Sequence, residues 1–182
     1  MSLTKLPVEN LLELCLQKNN LAQLEIYNRY ERAMFNTSVR IVKDKALAED
    51  VMQESFLTAF NKLETFKGTA TFGAWLKRIV VNNSISAYHK SNKYVPLDEY
   101  SIKGEMYSDE DGIAEISNKS PKVQHLLKIM KTLHPKYDQV LTLHFIEGFD
   151  YEEICDILNI TNANCRTMIS RAKESLRKKL NL

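Results

Sequence analysis

Along most of the chain, apolar residues recur at three- and four-residue spacing, the period of helices that bury one face. In LAQLEIYNRYERAMFNTSVRIVKD the repeat runs through Leu24, Tyr27, Ala33/Met34 and Val39/Ile41/Val42. In ALAEDVMQESFLTAFNKLETF it runs through Val51/Met52, Phe56, Ala59/Phe60 and Leu63, while Glu49, Asp50, Gln53 and Glu54 fall on another face. Gly68 interrupts the pattern. Helix is expected again from about Thr71 to Tyr88, with Phe72, Trp75/Leu76, Ile79 and Asn82/Asn83 in register. From Ser91 to Ser120 the period fades into SNKYVPLDEYSIKGEMYSDEDGIAEISNKS, which reads as a flexible linker with a short helix around Gly112–Ile116.

Periodicity returns at Pro121. PKVQHLLKIMKTL predicts an amphipathic helix ending near His134-Pro135, and PKYDQVLTLHFIEG a second, stopped by Gly148. In DYEEICDILNI, Asp150 and Glu153 have the spacing of a capping box opening a helix at Tyr151, with Ile154, Ile157 and Leu158 as its apolar face. The turn LNIT follows. Then NANCRTMISRAKESLRKKL predicts a longer helix with Met168/Ile169, Ala172 and Leu176 inward. Arg166, Thr167, Ser170 and Arg171 share another face near its N-terminal half, and Arg177, Lys178 and Lys179 make its end basic. Helix, short turn and second helix is the helix-turn-helix order, whose second helix reads base edges with its first turns. A basic helix alone is equally a solvated face. The capped first helix, the short turn and the polar, basic start of the second favour DNA binding.

The expectation is therefore an all-α chain of two small helical domains, residues 1–90 and 121–182, joined by a flexible acidic linker, residues 91–120. Only 5 Gly and 4 Pro in 182 residues support it, since β-rich chains need frequent turn residues. The net charge of +2 conceals its distribution. Residues 1–90 carry 12 Lys/Arg against 9 Asp/Glu, residues 91–120 carry 3 against 7, and residues 121–182 carry 10 against 7. Two mildly basic blocks thus flank an acidic segment.

The N-terminus has no signal-peptide pattern, and no apolar run reaches the ~18 residues of a membrane span. A cytoplasmic protein without membrane insertion is expected. Cys15, Cys155 and Cys165 lack metal-ligand spacing and read as buried, reduced thiols. The 4 His residues are scattered, and no HExxH, Walker or GxGxxG motif is present. Neither an enzymatic activity nor a metal or cofactor is expected.

One stretch asks for more. TFKGTATFGAWLKRIVVNN holds Phe66, Phe72 and Trp75 among Lys67, Lys77 and Arg78, with small hydroxyls between. It reads either as a core helix entered through a loop or as a platform for unstacked bases.

Taken together and in this order, the two blocks resemble the sigma-70 sigma factors, specifically the compact extracytoplasmic-function (ECF) type built from regions 2 and 4. LAEDVMQESFLTAFNKLETFKGTATFGAWLKRIVVN is similar to the family's region 2. LHPKYDQVLTLHFIEGFDYEEICDILNITNANCRTMISRAKESLRKKL is similar to its region 4 helix-turn-helix. The resemblance spans roughly residues 21–90 and 121–180. It implies that Glu49, Asp50, Gln53 and Glu54 dock on core RNA polymerase, against the coiled coil of the β′ subunit. It implies that Lys67, Thr69, Thr71, Lys77, Arg78, Asn82 and Asn83 meet the melted −10 element of promoter DNA, where a flipped non-template base is held. Unstacking a base costs a few kcal/mol, which stacking and backbone contacts must offset. Trp75 is expected in the core, with Phe66 and Phe72 bracing the loop from below.

For region 4 the resemblance implies that Arg166, Thr167, Ser170 and Arg171 meet the −35 element, with Lys173, Arg177 and Lys178 on phosphate. It admits a membrane-associated anti-sigma factor as a further partner. Three positions depart from the family's habit: Asp138 where a basic residue is common, Asn159 for the turn's usual Gly, and Cys165 for a usual Val. Asp138 weakens a backbone contact there. Asn159 tolerates the left-handed conformation. The rival readings are a stand-alone helix-turn-helix regulator, which leaves the first block without a role, and a helical adaptor without a DNA role.

Overall fold

The computed structural model describes residues 3–93 and 120–181. The expected linker, apart from its two ends, and the short helix near Gly112–Ile116 lie outside the described residues. The chain divides into two compact units, residues 1–94 and 95–182. Among the described residues there are eight α-helices and no strand.

The first unit comprises α1 (Val8–Leu16), α2 (Asn20–Val42), α3 (Lys45–Asn61) and α4 (Phe72–Lys93). Side-chain oxygens cap two of the starts: Asn19 accepts from the amides of Leu21 and Ala22, and Asp44 from that of Leu47. α2, α3 and α4 pack on one another, and α1 lies against α2. Leu11, Ile26, Met34, Met52, Phe56, Phe72, Leu76 and Val80 are in the shared core. Arg29 holds the chain's start in place, donating to the carbonyls of Leu3, Thr4 and Leu6 while paired with Glu25 at 2.7 Å.

Two expectations about this unit need correction. Leu24 is 54% exposed, not inward, because it lies two residues from both Ala22 and Ile26, about 200° around the helix. The inward face of α2 instead includes the small polar run Asn36, Thr37 and Ser38, all buried. These side chains admit α4 closely: the hydroxyl of Ser84 donates to that of Ser38 at 3.0 Å. Furthermore, α4 runs on past Tyr88 to Lys93, since no Gly or Pro ends it there.

The second unit comprises α5 (Pro121–Met130), α6 (Pro135–Leu141), α7 (Tyr151–Leu158) and α8 (Asn162–Lys179). The helix expected over 135–147 is interrupted: Thr142–Ile146 form a π-helical turn, closed by the Glu147 amide on the Thr142 carbonyl at 3.0 Å. Gly148, at φ +79°, then stops it as expected. The capping box of α7 is complete, with Glu153 N–H on Asp150 Oδ1 at 2.8 Å and Asp150 N–H on Glu153 Oε2 at 2.9 Å. Asn159 turns the chain at φ 51°, ψ 53°, and the Thr161 hydroxyl caps α8. Val140, Leu141, Leu143, Ile154, Cys165, Ile169 and Ala172 are buried beneath.

Candidate polymerase and nucleic-acid interfaces

On α3, the spacing that buries Ala48, Val51, Met52, Ser55, Phe56 and Ala59 turns Glu49, Asp50, Gln53 and Glu54 to solvent, and all four are exposed. The strip does not end in polar residues. Leu57, four residues after Gln53, is 65% exposed, a feature that the sequence pattern did not single out. At the other margin Glu49 lies close enough to Tyr27 to raise the phenol's pKa, after burial and Glu31.

Between α3 and α4 the chain passes through Lys67–Thr71, all exposed. Gly68 takes φ +69°, which a side chain would strain. The rings lie beneath this loop. Phe72 is buried and meets Phe66 edge-on at 5.9 Å, Tyr30 at 5.5 Å and Trp75 at 5.8 Å, and Phe66 meets Trp75 at 5.3 Å. Such pairs add to the area they bury and fix one geometry. Gly73 permits the fit, since a Cβ there would come within 2.9 Å of the Tyr30 ring. Thr71 caps α4 by accepting from the Ala74 amide at 3.3 Å.

Down α4, Arg78, Asn82, Ser86 and Lys90 follow at four-residue spacing and so share a face. Asn82, Ser86 and Lys90 are exposed; Lys77 and Arg78 are half-buried. Sequence reading missed Ser86 and Lys90, although the spacing that groups them with Asn82 is visible. Asn83 is half-buried and bonds across to α3. Its amide donates to Ser55 Oγ at 3.0 Å, and Ser55 in turn donates to the Val51 carbonyl, joining α4 to α3.

In the second unit Arg166, Thr167, Ser170 and Arg171 are exposed on α8. Arg166 Nε donates to Asn162 Oδ1 at 2.7 Å, which orients the guanidinium. Thr167 and Arg171, with Asn164 and Met168, form one wall of a groove of about 250 Å³ whose other wall is His134, Lys136 and Tyr137 at the start of α6. Lys173 lies over the exposed Phe145 ring at 5.2 Å. Lys178 pairs with Glu174 at 2.8 Å, raising the Lys pKa and lowering the Glu, while Arg177 is exposed. Asp138 is buried.

The cysteines only partly match expectation. Cys15 and Cys165 are buried, and burial raises both thiols to about 11. Cys155 is half-exposed, because its position on α7 falls beside Ile154 at the margin of the apolar face.

A capped helix-turn-helix with a basic second helix, in a chain whose first unit carries a polar loop on a floor of rings, defines a DNA-binding protein of two parts. Comparison with known proteins narrows the class. The sigma-70 region 2 model matches residues 26–94, and the sigma-70 region 4 model matches residues 124–176. The ECF RNA polymerase sigma factor SigW of Bacillus subtilis is 30% identical over 167 residues, 86% of this chain and 87% of SigW. SigM of the same organism is 27% identical over 153 residues, 84% of this chain and 91% of SigM.

Among solved structures, the sigma factor RpoE of Bartonella quintana, in complex with the anti-sigma factor NepR, shares the fold. Its TM-score is 0.58 at 20% identity, covering 87% of this chain and 96% of RpoE. CnrH, in complex with the cytosolic domain of CnrY, gives a TM-score of 0.55 at 19% identity, covering 94% and 95%. The chain belongs to the ECF sigma factors of the sigma-70 family.

It is accordingly a transcription initiation factor that acts with core RNA polymerase at promoter DNA. The region 2 match gives the first block the role that a stand-alone regulator leaves empty. Among the described residues, no helix is long and apolar enough to cross a membrane.

Proposed function

We propose that the first unit docks on the β′ coiled coil through Glu49, Asp50, Gln53 and Glu54 and holds the melted −10 element on its loop and α4, while α8 reads the −35 element. Lys67, Thr69 and Thr71 line the loop that receives the flipped non-template base. Lys77, Arg78 and Asn82 follow the single strand down α4, and Asn83 steadies that helix against α3. Arg166, Thr167, Ser170 and Arg171 face the major groove, with Lys173, Arg177 and Lys178 toward phosphate. The protein catalyses nothing itself and works in the cytoplasm.

The observation that carries this reading is the division of labour in residues 66–75. The rings turn down into the core while the small polar residues between them stay exposed over a fixed floor. A base leaving the duplex needs such a prepared surface, because a loop ordered only on binding would add its own entropy to the unstacking cost. An anti-sigma factor is a further expected partner, as RpoE and CnrH were each solved in complex with a second protein.

Run-off transcription on fragmented genomic DNA of the host, with purified core polymerase, tests the reading. New starts that depend on the protein and share two upstream elements support it, and their loss on Glu49→Lys/Glu54→Lys substitution assigns the docking face. Starts that survive that double charge reversal unchanged would remove α3 from the polymerase interface.

A further inference from the structure

The groove of about 250 Å³ between the start of α6 and α8 is lined for an anion. Lys136 and Arg171 bring one cation from each wall, His134, Tyr137 and Asn164 add polar hydrogens, and none of the lining residues is acidic. Asp138, two residues on from Lys136, lies about 200° around the helix from it and is buried. The two walls belong to helices that pack on each other, so their separation is fixed.

Bonds already made narrow the donors. The Lys136 amide donates to His134 Nδ1 at 3.3 Å, so this helix start is capped from within and offers no amide there. Because Nδ1 accepts, the imidazole N–H is at Nε2, across the ring from the cap. The ring lies beside that of Tyr137 at 5.7 Å. The Thr167 hydroxyl donates to the Ala163 carbonyl at 2.9 Å and has no second proton to give. A ligand therefore meets His134 Nε2–H, the Lys136 ammonium and the Tyr137 hydroxyl on one side, with Asn164 and Arg171 opposite. His134 and Lys136 are exposed and Tyr137 is half-buried.

We propose that this groove is a phosphate site that seats one backbone phosphodiester of the −35 duplex, held by His134, Lys136 and Tyr137. The proposal rests on the reading of α8 as the −35 helix. A helix with its side chains is about 10–12 Å across and the major groove about 12 Å wide, so a sugar-phosphate strand runs close along each flank of a reading helix. Thr167 and Arg171 belong both to the exposed face of α8 and to the groove wall, which opens the groove on one of those flanks. The two free oxygens of a phosphodiester only accept hydrogen bonds, which suits a lining of donors. Such a contact specifies no base; it sets the register in which α8 meets the bases.

The test uses the full-length protein and a −35 duplex from a mapped start site, with copies in which one phosphate at a time becomes an uncharged methylphosphonate. At one position, or two adjacent ones, the replacement should weaken wild-type binding roughly tenfold. Lys136→Gln should bind every duplex more weakly, lose nothing further at that position, and show a slope of log K against log salt smaller by about 0.9. His134→Asn keeps a capping side chain but lacks the Nε2 donor, and should reproduce part of the loss. A Lys136→Gln protein with the wild-type salt slope, or one still sensitive to every replacement that wild type feels, overturns the site. No sensitive position, while inorganic phosphate alone shifts the Lys136 and Asn164 amide signals in NMR spectra, would make it a free-anion site and overturn the DNA assignment. Wild-type protein that binds no −35 duplex at all overturns the reading of α8 and the site with it, so the two failures are told apart by wild type alone.

Discussion

In residues 1–94 the three packed helices run to 23, 17 and 22 residues, whereas α6 and α7 of the second unit have only 7 and 8. Long helices align many core positions, so the first unit places its loop through contacts between residues far apart in sequence, such as Tyr30 with Phe72 and Ser55 with Asn83. Helices of two turns are marginal alone. The second unit relies on what begins and ends them: Pro135 in the first turn of α6, the Asp150/Glu153 box, Asn159 in αL and the Thr161 cap. The difference teaches where each unit is fragile. One should fail by losing a core ring, the other by losing a turn.

Phe72→Ala carries the largest expected effect. It removes a buried ring touching three others, a loss of about 3–5 kcal/mol, and takes the floor from under Lys67–Thr71. Denaturant unfolding should show one early transition, with −35 duplex binding retained by the second unit. If duplex binding is lost in step, the two units are not independent and the contrast fails.

Next in size is Arg171→Ala. It leaves the helix intact, and fluorescence anisotropy should show duplex affinity falling about 10- to 100-fold, the range for losing a bidentate base contact. A loss spread evenly over all duplex sequences would instead make Arg171 a phosphate contact.

The same contrast explains what the sequence could say. The caps and turn of the second unit are signals within four residues, so the Asp150/Glu153 box and the turn at Asn159 were readable and the structure has both. What local reading could not see was the π turn at Thr142–Ile146, where one hydrogen-bond step too many hides in an unbroken apolar pattern. In the first unit the helical period was plain, yet Leu24 was assigned inward, because a long helix carries more apolar residues than its buried face uses. The burial of Asn36, Thr37 and Ser38 runs against polarity and depends on how near α4 comes. Of the candidate residues, those at four-residue spacing on α3 and α8 were legible as faces. The bond from Asn83 to Ser55 was not, since it joins positions 28 residues apart.

Asp150→Ala sharpens the comparison at smaller scale. Losing both halves of the box should cost about 1 kcal/mol, read as a lower midpoint for the second unit alone. Capping losses in the first unit should be smaller in proportion to its stability, because Asn19 and Asp44 open helices that packing already holds. Equal destabilisation by Asn19→Ala and Asp150→Ala would mean that the short helices are no more cap-dependent than the long ones.

The smallest effect belongs to Lys178→Ala, and its form matters more than its size. Lys178 is fully exposed and paired one turn back with Glu174, so its removal should leave folding unchanged. If it neutralises one phosphate, affinity should weaken alike for every duplex, and the slope of log K against log salt should fall by about 0.9. Arg171→Ala should instead change the ranking of sequences. A Lys178→Ala slope equal to wild type would mean that Glu174 keeps the ammonium from the backbone, and Glu174→Ala should then steepen the slope. The basic end of α8 would in that case be held in reserve by its own carboxylate, and the −35 contact would be confined to the first three turns of the helix.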